Sequence, residues 1–401
     1  MLVYVRTSIK GKKKGILMTP IRSKRVSNYE LFFDLAFVLT ISQLTSAIHV
    51  PQVQLEHIFY FLTTIIVMLN VWNQEAFYYN KYGDSRQIDI YTVIVLMLFV
   101  GNLALSITFD PTSLKPFCEN PLNFNSLLIL SYGTIALQYI LKGRKLGFNK
   151  DMYLSITLLV VYALAVLPRA LDILPFSVSA LPLYYLPLVV PLFLNSKKRP
   201  ICMNFPHYLE RCQLLTIITF GESVIAVLKT YPLSQNFWEG LTLFMGLGFM
   251  FVFYIIQTFV NINHHQRVSV KALSYAHYVI VASLLFFTVG LEFLKDSHHH
   301  DLGLHFFVLS ILAFFVGTLS TSHYNIELYR LDRRVVAQYG LILLLATGLF
   351  YFFGHQLALL GVILIGLSRL LTQTGMYYRR RKREQNKVPH PDVTANERYF
   401  S

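Results

Sequence analysis

Apolar stretches separated by short polar segments follow one another along almost the whole chain. A helix needs roughly 20 mostly apolar residues to cross about 30 Å of hydrocarbon, and about twelve stretches approach this length. The pattern therefore predicts an all-α, polytopic integral membrane protein with about twelve transmembrane helices. With soft boundaries, the stretches lie at 30-49, 55-79, 87-109, 122-141, 152-168, 173-194, 207-229, 238-261, 273-294, 303-322, 335-353 and 356-376.

The fifth and sixth stretches are the least regular, because prolines interrupt the chain there. Proline has no backbone N–H and clashes with the preceding turn, so it kinks or breaks a helix. Membrane helices tolerate proline where neighbouring groups bind the freed carbonyl. We expect two separate helices in this region, which gives twelve in total. A total of eleven or thirteen helices is the alternative. The prolines are Pro168, Pro175, Pro182, Pro187 and Pro191.

The distribution of charge gives an independent check on the number of helices, since cytoplasmic loops of membrane proteins collect Lys and Arg. With the N-terminus inside, 29 of the 35 basic residues fall in the two tails and the cytosolic loops, and 4 fall in the opposite loops. Adding or removing one helix in the middle would destroy this bias. The charges predict that both termini are cytoplasmic, and we expect the multi-pass chain in the plasma membrane.

Composition excludes a water-soluble core, because 54% of the residues are hydrophobic and only 14% are charged. The net charge of +14 is compatible with nucleic-acid binding. However, the basic runs at 12–14 and 379–383 flank the first and last apolar stretches, where each basic residue can bind anionic lipid headgroups with about 1 kcal/mol. We expect lipid contact and no nucleic-acid partner. Cys118, Cys202 and Cys212 form no obvious pair, so we expect no disulfide scaffold.

Weak internal similarity appears at an offset of about 180 residues. The openings of helices 1 and 7 and of helices 3 and 9 are alike, and Trp72 in helix 2 corresponds to Tyr254 in helix 8. Because six is an even number, two six-helix halves would share one orientation and be related by an axis along the membrane normal. The predicted organisation is a basic tail (1-29), a six-helix repeat (30-194), a second six-helix repeat (207-376) and a second basic tail (377-401).

Helices 1 and 7 carry ionisable residues within their apolar stretches. Glu30 and Asp34 lie one turn apart on the same face of helix 1. In helix 7, His207, Arg211 and Glu222 fall within about 60° of one another, and Glu222 lies roughly 22 Å along the helix from His207. A charged residue at the centre of a membrane helix costs about 2.5–3.5 kcal/mol. These side chains should therefore face protein or water, and they predict a site between the helices.

Each of these residues also has a structural interpretation. Glu30 and Asp34 can cap helix 1. Arg211, with Glu210 beside it in the first turn of helix 7, can pair with either carboxyl and lock the two halves together. Glu222 can be protonated and hydrogen-bonded to a neighbouring helix, or it can bind an ion or proton, which we favour.

Other candidates are weaker. Glu75 and Asn73, near the cytosolic end of helix 2, can line a polar cavity or lie at the membrane interface, which we favour. No serine-hydrolase elbow, HExxH zinc motif or phosphate-binding loop occurs, so we expect neither an enzyme nor a cofactor. A cluster in the outer loop between helices 9 and 10 is expected to be solvated and not to bind a metal. It consists of Asp296, His298, His299, His300, Asp301 and His305.

Three segments resemble the bacterial low temperature requirement A (LtrA) family. They read ELFFDLAFV at 30-38, HYLERCQLLTIITFGESVIAV at 207-227 and, more loosely, SYAHYVIVASLLFFTVGLEF at 274-293. The resemblance covers residues 25 to 376, and the chain departs from the family pattern at Cys212 and Gln213, where Phe and Gly are expected. It implies a membrane fold, whereas the family's name records a growth phenotype and no chemistry.

The first helix is also similar to two-repeat, twelve-helix potassium channels, which place an aromatic residue and an Asp early in the first helix of each repeat. FFDL fits that pattern, but helix 7 has Gln213 or Leu214 at the corresponding place, and no TVGYG-type filter occurs. The potassium-channel likeness is therefore an analogy.

These patterns predict a protein that moves a small ion or solute along helices 1 and 7. Glu222 would be the proton or cation site, and Asp34, Glu210 and Arg211 would form a cytosolic ion-pair gate. A structural or sensory role that supports growth at low temperature is the alternative, and an ion channel is a further possibility.

Overall fold

The computed structural model describes residues 24–84, 86–109, 122–174, 178–194 and 203–389, so Cys118 and Cys202 lie outside it. These described residues are almost entirely helical, and their β-type pairing is limited to an isolated bridge between Ile262 and Asn325. The α-helices are α1 (Asn28–Ala47), α2 (Leu55–Lys81), α3 (Gln87–Leu105), α4 (Phe124–Leu146), α5 (Lys150–Ala170), α6 (Leu186–Phe193), α7 (Phe205–Thr230), α8 (Phe237–Ile255), α9 (Lys271–Phe293), α10 (His300–Ser320), α11 (Arg333–Phe352) and α12 (Leu357–Gln385).

Eleven of the described helices, all except α6, are long and apolar enough to cross a membrane. Their outward faces carry large apolar side chains. Leu344 and Leu345 of α11, for example, are 69% and 61% exposed. A continuous surface of this kind is unfavourable in water and fits contact with lipid. The prediction of an all-α, multi-span membrane protein is confirmed.

Consecutive helices alternate in direction, so the bundle has two ends. At one of them, which we call the Glu30 end, Asn80 of α2 donates to the carbonyl of Asn204 just before α7 (2.9 Å), and Glu30 of α1 binds Arg211 of α7 (2.9 Å). Further contacts join the first residues of the other odd-numbered helices to the last residues of even-numbered helices. These helix termini therefore also lie at the Glu30 end. Both ends of the described chain therefore lie at the Glu30 end.

The sixth predicted helix, 173-194, is not a regular helix of spanning length, and that prediction was wrong. The described residues form a 3-10 helix, Val178–Tyr185, followed directly by the short α6. Pro182 lies in the 3-10 helix, and Pro187 and Pro191 lie in α6. Each proline removes a backbone donor that a regular α-helix uses, so the segment is divided into two short pieces.

These two pieces nevertheless pass from one end of the bundle to the other. Tyr184 of the 3-10 helix donates to Asn125 at the start of α4 (2.5 Å), whereas the carbonyl of Leu194 accepts from Lys271 at the start of α9. A 3-10 helix rises about 2.0 Å and an α-helix about 1.5 Å per residue, so the pieces together can cover roughly 28 Å. The chain therefore makes a sixth crossing with a short, proline-rich segment.

Helices α1 and α7 run parallel and in register. Three side-chain contacts between them join residues that are 177 positions apart in the chain. A constant separation over fifteen residues requires that both helices advance in the same direction at the same rate. The contacts are Glu30 with His207, Asp34 with Arg211 and Thr45 with Glu222.

The basic segment after residue 376 continues α12 to Gln385. Several of its side chains bind loops of the same bundle. Arg379 donates to Asn261 (2.6 Å), and Lys382 lies 3.0 Å from Asp332. Part of the basic run therefore also fixes α12 to its neighbours.

Helices α8 and α12 approach closely at a glycine. A Cβ atom on Gly361 of α12 would lie 2.3 Å from Thr242 Oγ1 and 2.7 Å from the backbone nitrogen of Leu243, both in α8. Such distances leave no room for a methyl group, and the backbone nitrogen cannot rotate away. In contrast, a Cβ on Gly366 of the same helix would meet nothing within 4 Å.

Gly361→Ala should lower thermal stability, because the added methyl group must push α8 and α12 apart, and overpacking of this kind costs about 1–3 kcal/mol. Gly366→Ala is the matched control and should leave the melting temperature nearly unchanged. Thermal unfolding of the purified proteins in detergent compares the two, and equal melting temperatures would contradict the close contact.

Candidate functional site

A fully buried ion-pair cluster joins α1 to α7 at the Glu30 end. Arg211 Nη1 donates to Glu30 Oε2 at 2.9 Å, and its Nη2 donates to Asp34 Oδ1 at 2.7 Å. The three side chains are at most 2% exposed. The planar guanidinium presents its donors in a fixed fork, which suits a bridge between two carboxylates. The structure thus brings together three of the residues that the sequence analysis selected.

His207 and Trp72 complete this cluster. His207 Nε2 lies 3.2 Å from Glu30 Oε2, and Trp72 Nε1 donates to Asp34 Oδ1 at 2.9 Å. The guanidinium carbon of Arg211 lies 5.6 Å from the centre of the Trp72 ring, within the range of a cation–π contact. Residues of α1, α2 and α7 therefore meet at one point.

Asn80 determines which tautomer of His207 fits this arrangement. The backbone nitrogen of Asn204 donates to Asn80 Oδ1 (2.8 Å), so the Nδ2 group of Asn80 faces His207 Nδ1 at 3.0 Å. An amide nitrogen only donates, and His207 Nδ1 must therefore accept. The imidazole then carries its proton on Nε2, towards Glu30, and is neutral.

With a neutral His207 and both carboxyls ionised, the cluster has two negative charges and one positive charge. In the described part of the chain, Asp34 Oδ2 and Arg211 Nε have no hydrogen-bond partner. A buried polar atom without a partner is costly. A net negative, buried cluster with a free acceptor is an environment that attracts a proton or a small cation.

Local sequence positions these side chains through the helix caps. Ser27 and Glu30 form a capping box at the start of α1, in which Ser27 Oγ accepts from the Glu30 nitrogen (3.3 Å) and Glu30 Oε1 accepts from the Ser27 nitrogen (3.0 Å). Asn204 caps α7 by accepting from the His207 nitrogen (3.2 Å). Glu30 therefore caps its helix and binds Arg211 at the same time, so the two interpretations from sequence apply together.

Glu222 lies apart from the buried cluster, although it faces the same helix. It is half-buried, and Thr45 Oγ1 of α1 donates to its Oε1 at 3.3 Å. Glu222 is eleven residues beyond Arg211, about 16 Å along α7. It therefore lies towards the opposite end of the bundle.

His49 and Glu292 tie α1 to α9 next to Glu222. His49 Nδ1 lies 2.8 Å from the carbonyl oxygen of Thr45, and its Nε2 lies 3.1 Å from Glu292 Oε2. A carbonyl and a carboxylate both accept, so both contacts form only when the imidazole carries two protons. The hydrogen bond to Glu292 accordingly raises the pKa of His49 above its ordinary value.

An apolar layer separates Glu222 from the buried cluster. Between the two, a small cavity is lined by Phe37 and Ile41 of α1, Leu215 of α7 and apolar side chains of α2 and α9, with Thr40 as a polar exception. Phe37 and Ile41 are at most 3% exposed. The α1–α7 interface is thus polar towards both ends and apolar in the middle.

The remaining predicted residues lie in different surroundings. Glu210 is exposed on α7, and it makes no ion pair within 4 Å among the described residues. Glu75 and Asn73 were expected at the membrane interface, and this was wrong for both. Glu75 is fully buried, and Asn73, at 7% exposure, accepts from Tyr208 at 2.6 Å. Both face the interior because α2 is surrounded by other helices at this depth.

Sequence reasoning missed two further buried pairs at the Glu30 end. Lys81 of α2 lies 2.8 Å from Asp151 of α5, and Lys142 of α4 lies 3.0 Å from Asp89 of α3. Both lysines were counted among the exposed charges of cytosolic loops, yet their side chains are 4% and 6% exposed. The spacing in the sequence gives no sign of these pairings, because each joins different helices.

The histidine cluster was expected in the loop before helix 10, but α10 begins at His300, so part of the cluster lies in this helix. Its side chains are partly engaged with carboxylates and aromatic rings of the same region. His299 Nδ1 lies 2.6 Å from Asp296 Oδ2, and the ring of His300 stacks on His355. In the described ranges, no group of three or more His, Cys, Asp or Glu side chains is placed to hold a metal ion.

Across the described ranges, eleven helices of spanning length and a charge cluster buried between α1 and α7 define a polytopic helical membrane protein whose polar chemistry lies between its helices. Residues 25–372 match the family described as bacterial low temperature requirement A protein (LtrA), and the chain belongs to this family. The match includes both segments that form the cluster, 30-38 and 207-227. No curated protein matches the chain.

Arg211→Met should destabilise the protein strongly, because it leaves two carboxyls buried without their counter-charge. Removal of one partner from a buried ion pair typically costs about 3–5 kcal/mol. The triple variant Glu30→Gln, Asp34→Asn, Arg211→Met should regain part of the loss. Unfolding in detergent measures the effect.

Arg380→Met is the matched control, since Arg380 forms an exposed pair with Glu384 and such pairs contribute little. A loss of stability in Arg380→Met equal to that in Arg211→Met would show that the buried cluster has no special role.

The His49–Glu292 contact should stabilise the protein in acid and be lost as the pH rises. Since the folded state raises the pKa of His49, the contribution is complete below its ordinary pKa of about 6.5 and disappears as the pH passes the raised value. The melting temperature of the wild type should exceed that of His49→Gln most below this pH, and the two should converge in alkali. A difference that grows with pH would contradict the contact.

Proposed function

We propose that the protein moves a proton or a small cation across the plasma membrane along the interface of α1 and α7. The observation that carries the proposal is the arrangement of this interface, in which ionisable groups at two depths are separated by an apolar layer. Glu222 is the proton or cation site, and the buried cluster of Glu30, Asp34, Arg211 and His207 is the gate at the Glu30 end. The protein has no catalytic chemistry in this proposal.

We assign the Glu30 end to the cytosol, with both termini inside. The bias of Lys and Arg towards the tails and alternate loops supports this orientation. The direction of the helices agrees, because the described chain begins and ends at the same end of the bundle. Basic residues there, such as Arg381, would contact anionic headgroups.

We also propose that the bundle consists of two parallel six-helix repeats. The same neighbours recur in both halves, since α1 packs on α3 as α7 packs on α9, α3 on α4 as α9 on α10, and the α2–α6 region is matched by α8–α12. The parallel, in-register packing of α1 against α7 supports an axis along the membrane normal. In this arrangement α1 and α7 are symmetry mates at the interface of the repeats, where transporters commonly place their sites.

A gate fits the buried cluster because its charged members bind one another and are shielded from solvent. Movement along α1 and α7 requires that the apolar layer around Phe37, Ile41 and Leu215 opens, since a dry apolar constriction blocks ions. Separation of Asp34 from Arg211 would expose a carboxylate on one side of this layer, and Glu222 offers one on the other side. Glu210, exposed on α7, would lie at the cytosolic mouth.

A structural role is the second candidate, and the pairing of Arg211 within the cluster favours it. Its two terminal nitrogens bind two carboxylates, and its face lies over Trp72. Such a cluster can hold α1, α2 and α7 together without any transport. In that case Glu222 would have no part in activity.

Flux measurements in proteoliposomes distinguish the two candidates. Under imposed K⁺, Na⁺ and proton gradients, the wild type should conduct at least one of these ions, and Glu222→Gln should lose most of that flux because it removes the titratable carboxyl. Glu56→Gln is the matched control, since Glu56 is an exposed carboxyl near the same end of the bundle, and it should conduct like the wild type. Undiminished flux in Glu222→Gln would exclude it as the site, and no flux for any ion would favour the structural role.

A further inference from the structure

A second carboxyl lies in the interior, between α2 and α4, and belongs to neither part of the proposed path. Glu75 and Gln138 are both 0% exposed. Gln138 Nε2 donates to Glu75 Oε1 at 3.1 Å. Glu75 Oε2 and Gln138 Oε1 have no hydrogen-bond partner in the described ranges. One hydrogen bond is formed, and one acceptor on each side chain is left over.

An ionised Glu75 would be poorly stabilised at this position. Trp72 and Tyr79, which lie one helical turn before and after Glu75 on α2, are buried aromatic residues. Arg211, a cation in the same region, already binds two other carboxylates. A buried carboxylate without a counter-charge is far more costly than a neutral carboxylic acid.

The two leftover atoms match what a neutral acid would use. A protonated carboxyl has one O–H donor and one carbonyl acceptor, and a primary amide likewise has a donor and an acceptor. The two groups can form a ring of two hydrogen bonds, in which the amide N–H donates to one carboxyl oxygen and the acid O–H donates to the amide oxygen. The Oε1 and Nε2 atoms of Gln138 can also be assigned the other way round, since the two are hard to distinguish. The amide oxygen would then face Glu75 Oε1, and two oxygens at this distance also require a proton on Glu75.

The second half of the chain carries a neutral side chain at the corresponding position. The internal repeat aligns Trp72 with Tyr254, and three residues further on it aligns Glu75 with Gln257. Gln257 is buried at 4% exposure, and its Nε2 donates to Asn325 Oδ1 at 2.8 Å. An amide has the shape of a protonated Glu, so this place in the repeat accommodates a neutral group.

We propose that Glu75 binds a proton at neutral pH and forms a cyclic acid–amide pair with Gln138, a proton-binding site within the membrane that is separate from Glu222. The proton comes from water when the site is formed, and no other group is consumed. The site does not depend on transport by the protein. It joins α2 to α4 one turn from Trp72, which binds Asp34.

Infrared spectroscopy of the purified protein in lipid nanodiscs tests this directly, since a carboxylic acid and a carboxylate absorb at different frequencies. The wild type at pH 7 should show a protonated-carboxyl band that shifts in D₂O and is missing from Glu75→Gln. Gln138→Leu should keep the band at a higher frequency, because the acid loses its hydrogen-bonded partner. This second variant identifies the band even if Glu75→Gln does not fold.

Three results would contradict a protonated Glu75 paired with Gln138. If the spectrum of the wild type minus Glu75→Gln contains only carboxylate bands, Glu75 is ionised and the proposal fails. If the acid band is the same in wild type and Gln138→Leu, Gln138 is not the partner of that acid, and the proposal also fails. A rise in melting temperature with Na⁺ or K⁺ that Glu75→Gln abolishes would show that a metal cation occupies the site, and this also overturns it. The thermal stability of Glu75→Gln should stay close to that of the wild type, because two amides can form the same ring.

Discussion

The buried pairing of Arg211 with Glu30 and Asp34 is the interaction on which the arrangement of the bundle depends. Unlike an apolar contact, it fixes direction and register, because the guanidinium meets both carboxylates only when α1 and α7 run parallel at one relative height. Apolar side chains against lipid supply little preference between alternative packings. The charge cluster therefore specifies which helices are neighbours, while the remaining helices pack around this pair.

Much of this arrangement could be predicted from the sequence because it follows from solvation. Apolar length gave the eleven long helices, and the cost of charge within hydrocarbon indicated that Asp34 and Arg211 face the interior. Helical periodicity correctly placed His207, Arg211 and Glu222 on the face of α7 that meets α1. Each of these properties depends on one helix alone, so the sequence of that helix is enough to predict it.

The features that could not be predicted are those that depend on two helices at once. The sequence shows a carboxyl near the end of helix 2, but the burial of Glu75 depends on α4 lying beside α2 with Gln138 at the same depth. Lys81 and Lys142 looked like loop charges because each lies at a helix end, and their carboxylate partners come from other helices. The sixth crossing was misjudged for a local reason, since its prolines divide the backbone into a 3-10 helix and a short α-helix while leaving the apolar pattern intact.

The same contact requires that the sequences of α1 and α7 differ. If α1 and α7 were identical and packed in register, each residue would face its own copy, and Asp34 would meet a second buried carboxylate. The positions 177 residues apart instead hold Glu30 with His207 and Asp34 with Arg211. A repulsive contact between like charges is replaced by an attractive one only if the two helices differ at these positions. The parallel, in-register contact therefore depends on the difference in sequence between α1 and α7 at the positions where the two helices meet.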